Sequence, residues 1–101
     1  MDSHAKATEL EVIDNVGAQR FEARIGDEVA VAAYERGDGV ITFTHTEVPH
    51  SMEGKGIASA LARAALDRAR AEGLAVVPQC PFMATYIRRH PEYRDLLRSA
   101  S

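Results

Sequence analysis

Tryptophan is absent from this 101-residue chain, and cysteine occurs only once. A single thiol cannot close an internal disulfide, so the fold must rest on packing and hydrogen bonds, and a reducing compartment is expected. Cys80 is then either a small buried hydrophobe or a reactive thiol. No run of about 18 apolar residues occurs, and the opening stretch MDSHAKATELEV lacks the apolar centre of a signal peptide, which together predict a cytoplasmic protein without membrane partners. Excess positive charge is missing as well. Twelve Lys and Arg against fifteen Asp and Glu leave a net charge of -3, which argues against a broad field for nucleic-acid phosphates. His45, His50, Cys80 and His90 show none of the paired spacings of a metal site, so no metal is expected.

What is present is an ordinary globular balance, 46% apolar and 27% charged, enough for one modest core. Residues 1–8 read as a polar tail and 9–101 as a single α+β domain, a monomer or weak dimer.

RFEARI alternates with Phe21, Ala23 and Ile25 on one face, the period of a half-buried strand. Gly26-Asp27 then forms a tight turn into GDEVAVAAYE, and RGDG turns that strand into VITFTHTEV. A shorter, weaker strand is expected at LEVID. Strict alternation in the VITFTHTEV strand places Ile41, Phe43, His45 and Glu47 on one face. From Ile57 to Glu72 the small residues Ala58, Ala62, Ala65 and Ala69 join Ile57, Leu61 and Leu66 on a wide apolar helix face, and Gly73 stands where a left-handed cap ends a helix. LAVVPQ follows as a buried strand, so strand, long helix and strand predict a parallel crossover. Pro81 opens a further helix that Pro91 stops, and EYRDLLRS is a short last helix.

At the start of the long helix, four backbone N–H groups lack partners and the dipole favours negative charge. Gly54 and Gly56 remove the side chains that would keep an anion away, so the turn can wrap a pyrophosphate with backbone donors. It is neither a nucleotide P-loop, since MEGKGIAS lacks G-x-x-x-x-G-K-[ST], nor a dinucleotide turn, since Ser59 stands at the third glycine position.

EGKGIASAL, following a strand that ends in TEVP, resembles the acyl-coenzyme A signature [QR]-x-x-G-x-[GA] of the GNAT superfamily of N-acetyltransferases. Glu53 replaces the usual Gln or Arg, Gly56 holds the glycine position and Ala58 the last. HTEVP, GKGIASAL, VVPQCPF and HPEY together are similar to a group of very small stand-alone GNAT-like proteins, with the likeness running from about Arg20 to the end. The resemblance implies a minimal fold of that type: an antiparallel meander leading into a parallel strand-helix-strand unit, with two further C-terminal helices. It also implies acetyl-coenzyme A as cofactor, held by Glu47, Val48, Glu53, Gly54, Lys55, Gly56, Ile57, Ala58, Ser59, Cys80, Pro81 and Tyr86. In that family the strand before the turn bulges and splays from its parallel neighbour, and pantetheine lies in the gap.

Acetyl transfer needs a neutral amine, donors for the developing oxyanion, and a proton for the departing thiolate. Backbone amides around Val48 suit the second task. His45 is a candidate base, or else a structural or substrate-orienting residue. Tyr86, where larger family members carry a proton-donating tyrosine, is that acid or a core aromatic. Cys80 sits between Pro78 and Pro81, at the carboxyl end of a parallel strand, where ligands collect in such units; it either attacks the thioester or lines the acyl pocket. The expected function is acetyl transfer to an unidentified amine. The alternatives are a non-catalytic acyl-coenzyme A binding or sensing module and an interaction domain without a ligand.

Overall fold

The computed structural model describes residues 11–54 and 56–97. The tail expected over 1–8, Lys55 and the end of the expected last helix lie outside these residues. β1 (Val12–Asn15), β2 (Arg20–Ile25), β3 (Glu28–Gly37) and β4 (Val40–Glu47) make an antiparallel meander, and β5 (Ala75–Pro78) joins β4 in parallel, so spatial order follows chain order. The weakly signalled first strand is present, shifted slightly from LEVID. Gly26 and Asp27 lie between the paired Ile25 and Glu28, and Asp38 and Gly39 lie between Gly37 and Val40. Both residues of the second turn have positive φ, 29° and 76°, as a two-residue hairpin with the twist of its strands requires.

α1 (Ile57–Ala71) crosses from β4 to β5. Its end is the expected one: Gly73 is left-handed at φ 69°, and the amides of Gly73 and Leu74 donate to the carbonyls of Arg70 and Ala69, which satisfies two of the last acceptors. α2 (Pro81–Arg89) begins on proline and ends at His90, whose Nδ1 lies 2.8 Å from the Tyr86 carbonyl. The short last helix is a 3-10 helix, Pro91–Leu96, since so few residues rarely repay the cost of an α-helical nucleus. Arg70 fastens it to α1 by bonding Asp95 and the Glu92 carbonyl, and the Tyr93 hydroxyl donates to Asp67 at 2.8 Å.

Both helices pack on one face of the sheet. Phe21 and Ala23, Ala30, Ala32 and Tyr34, Ile41 and Phe43, and Val76 meet Leu61, Ala62, Ala65, Leu66 and Ala69 of α1 and Met83 and Ile87 of α2 in one cluster. Because α1 presents alanines at 0% exposure, its backbone lies close to the strands, leaving the aromatic trio Phe21, Tyr34 and Phe43 to fill the remaining volume in tilted and edge contacts.

The alternation expected along VITFTHTEV breaks in the middle. Phe43 pairs with Tyr34 but His45 pairs with Ala33, so Thr44 is an extra residue in β4, and its hydroxyl reaches the Ala33 carbonyl at 3.4 Å. A bulge of one residue shifts the parity of everything after it. Thr46, opposite Ala32, takes the helix-covered face; His45, opposite Ala33, and Glu47, opposite Val31, turn to the other side. His45 therefore does not continue the line of Ile41 and Phe43, and its side chain is 61% exposed.

Candidate functional site

β4 and β5 pair only from Val40 opposite Ala75 to Phe43 opposite Pro78. The Cys80 amide then donates to the Phe43 carbonyl at 3.0 Å and closes the ladder. Beyond it β4 runs on to Glu47 with no strand on that side among the described residues, so the bulge and the parting lie together.

At the mouth of the parting a cavity of about 340 Å³ opens against the start of α1. Seven of its lining residues were expected: Val48, just past the end of β4, and Glu53, Gly54, Gly56, Ile57, Ala58 and Ser59 from the turn and first helical turn. Gly54 and Gly56 stand at φ 81° and 75°, and a Cβ on either would meet no protein atom within 4 Å, so the glycines leave open space on that side. Gly56 caps α1 without any side-chain bond, and the first turn has no acidic residue. The first intrahelical bond runs from the Ala60 amide to the Gly56 carbonyl, which leaves the amides of Ile57, Ala58 and Ser59 without a partner inside the helix. Three donors without a partner among the described residues and the positive end of a 15-residue helix make this wall attractive to an anion. Glu53 puts a carboxylate on the rim, approached by His50 Nδ1 at 3.4 Å.

Met52, 3% exposed, also lines the cavity and was missed by sequence reasoning. Its signal was the one large apolar side chain in the polar stretch HSMEGKG. Thr46 was missed too. Its Oγ1 lies 3.1 Å from Cys80 Sγ, a contact across the parting between residues 34 apart in sequence, and only the bulge parity brings them face to face.

Other expected residues are placed elsewhere. Cys80 caps α2 and is 3% exposed, with Thr46 beside its sulfur and no place in the cavity wall. Pro81 is exposed at the first position of α2, outside the cavity. Tyr86 is buried between α2, α1 and the last 3-10 helix: its ring stacks on His90 at 3.9 Å and lies near Phe82 and Tyr93. Its phenol is the leading cause that raises the pKa of the Arg63 guanidinium. Glu47 turns its side chain to the helix-free face, where its Oε2 lies 3.8 Å from His45 Nε2. Lys55 lies outside the described residues. No group of three His, Cys, Asp or Glu that could hold a metal ion occurs among the described residues, and no helix of theirs is long and apolar enough to cross a membrane.

A family model described as GCN5-related N-acetyl-transferase matches residues 20–96. Protein NATD1 of Xenopus tropicalis is 31% identical over 94 residues, covering 90% of this chain and 86% of its own length. The NATD1 proteins of Gallus gallus and Homo sapiens are 40% identical over 63 residues, 61% of this chain, and the match spans only 57% and 56% of their lengths. The solution NMR structure of a GCN5-like protein from Staphylococcus aureus superposes with a TM-score of 0.70 at 23% identity over 91% of each chain, a likeness of fold.

Proposed function

The chain belongs to the GCN5-related N-acetyltransferase family, and from that premise we propose that it binds acetyl-coenzyme A at the start of α1 and transfers the acetyl group to an amine. It does so as a small family member, a cytoplasmic monomer or weak dimer. The observation that carries the reading is the meeting of an uncapped helix start with the parting of β4 from β5. The amides of Ile57, Ala58 and Ser59 and the open turn at Gly54 and Gly56 hold the pyrophosphate, with Lys55 adding a point charge. The main chain of Glu47 and Val48, beyond the last pairing with β5, holds the pantetheine amides and polarises the thioester carbonyl.

Transfer is direct in this reading. The ammonium gives one proton to His45 and attacks the carbonyl carbon as a neutral amine; the C–S bond breaks, and the second N–H proton leaves with the thiol. Cys80, oriented by Thr46, closes the acyl end. Tyr86 and Pro81 shape α2 around it.

A second reading, acyl-coenzyme A binding without catalysis, is favoured by the burial of Cys80 and Tyr86 outside the cavity wall. Titration calorimetry with acetyl-coenzyme A, followed by release of free coenzyme A on adding a panel of amines, separates the two. Binding with release supports transfer, binding without release supports the second reading, and no binding overturns both.

A further inference from the structure

We propose that the helix-free face of the sheet carries the acceptor subsite, and that the acceptor is an aminocarboxylate, with its amine at His45 and Glu47 and its carboxylate at Arg20 and Arg24. This rests on the transfer reading above.

Directly opposed residues share a face, so the register lays out two rows on this side of the sheet. Asn15, Arg20, Ala33 and His45 form one, and Ile13, Glu22, Val31 and Glu47 form the other. In both rows β3 contributes only a small or short side chain, Ala33 or Val31. The line of β3 is therefore low, with Ala33 half-buried and Val31 buried, and the longer side chains of β2 and β4 stand on either side of it, their backbones about 10 Å apart at two strand spacings. On the β4 side stand the imidazole and carboxylate of His45 and Glu47, 61% and 73% exposed, at the lip of the parting. On the β2 side stand two guanidiniums, 41% and 63% exposed.

Glu22 explains how that second wall is built. Its side chain is 1% exposed on a face that no helix of the described residues covers. Oε2 accepts from Arg20 Nε at 2.7 Å and from Asn15 Nδ2 at 3.0 Å, whereas Oε1 accepts no hydrogen bond and lies 3.5 Å from the Arg24 guanidinium. A buried carboxylate with an unpartnered oxygen is costly, and such an exception calls for a reason. Here it pins Arg20 by Nε alone, and the terminal nitrogens of that guanidinium have no hydrogen-bond partner among the described residues. Two guanidiniums on one carboxylate leave the wall with a positive charge and a free fork, the arrangement that takes a carboxylate in bidentate fashion.

A cation would be repelled from the Arg20 wall, and a simple anion would meet Glu47 at the lip. A zwitterion satisfies both. The ammonium is drawn to Glu47 and passes its proton to His45, whose own proton then goes to solvent, so the balance of the transfer reaction is unchanged.

The test pairs 6-aminohexanoate with hexylamine. Amide chemical shifts of Arg20, Val31, Ala33, His45 and Glu47 should move on titrating the protein with the aminocarboxylate, and its KM should be lower by about tenfold or more than that of hexylamine. Arg20→Gln should shrink that ratio, and Arg20→Lys should restore part of it; Glu47→Gln should raise KM for both. Turnover of both amines with equal KM overturns the inference and leaves the transfer reading standing. Shifts on this face without any turnover uphold the subsite and overturn the transfer reading. Absence of shifts on this face overturns the inference whatever the turnover.

Discussion

Replacing Gly56 by valine separates the two duties of the turn. A Cβ at this position meets no protein atom within 4 Å, so no clash within the fold is incurred. The cost comes from forcing a β-branched residue to φ 75°, about 2 kcal/mol for a left-handed residue of this kind. Against a total stability of about 5–15 kcal/mol the variant remains folded. For a domain of this size the loss corresponds to a fall in Tm of about 8–16 °C. Gly39 supplies the matched control. It too is left-handed, at φ 76°, with nothing within 4 Å of its Cβ, but it sits in the hairpin between β3 and β4, outside the cavity. Gly39→Val should therefore show a similar fall in Tm and keep its affinity for acetyl-coenzyme A. Gly56→Val should lose affinity by about a hundredfold or more, because the isopropyl group occupies the space next to three free amides. Thermal unfolding followed by titration calorimetry on both variants decides the matter. If folded Gly56→Val binds as tightly as the parent, the turn is not the pyrophosphate cradle; if Gly39→Val loses binding equally, the effect is one of stability alone.

Burial, and then donation to Asp67, push the Tyr93 phenol up to about 12. The folded protein thus keeps a proton that the unfolded chain releases near pH 10, so this contribution is complete below about pH 10 and is lost as the pH rises toward 12. Urea unfolding across that window should show a shallower decline for Tyr93→Phe than for the parent, and parallel declines would refute the assignment. At the other end, the Arg20 hydrogen bond first, and that of Asn15 next, hold the Glu22 carboxyl below the usual carboxylate range. Its stabilisation is present above about pH 4.3 and disappears as the pH falls through the lower folded value, so Glu22→Gln should flatten the acid limb; an unchanged limb would mean that the cluster does not hold the charge. Incubation with acetyl-coenzyme A alone should leave the protein mass unchanged, and Cys80→Ala should retain turnover where His45→Ala loses about a hundredfold. A stable acetyl adduct on Cys80 that an amine discharges would overturn direct transfer.

The ends of β2, the start of α1 at Ile57 and its left-handed stop at Gly73 were legible because each is written in neighbouring residues: two-residue alternation, an alanine stripe at helical spacing, a glycine where φ must be positive. The cavity turn was legible for the same reason, since Glu53 to Ser59 are contiguous and their chemistry is mostly that of the backbone. The short 3-10 helix after Pro91 was read correctly as helical, but its tighter winding depends on anchors from α1 at Asp67 and Arg70.

The extra residue at Thr44 left no mark in the β4 sequence, where His45, Thr46 and Glu47 are all polar and carry no apolar signal of which face each takes. A bulge is a count of two strands against each other, and only the pairing with β3 reveals that Phe43 and His45 oppose consecutive residues. From that count follow the exposure of His45 and Glu47, the contact of Thr46 with Cys80, and the rows that bring Arg20 and His45 to either side of Ala33. Local composition by itself determined the elements and the glycine turn before α1. Which side chains face the helices and the parting, and which face the other side of the sheet, was decided by tertiary pairing, because a one-residue shift between strands costs little locally and reverses the direction of every side chain beyond it.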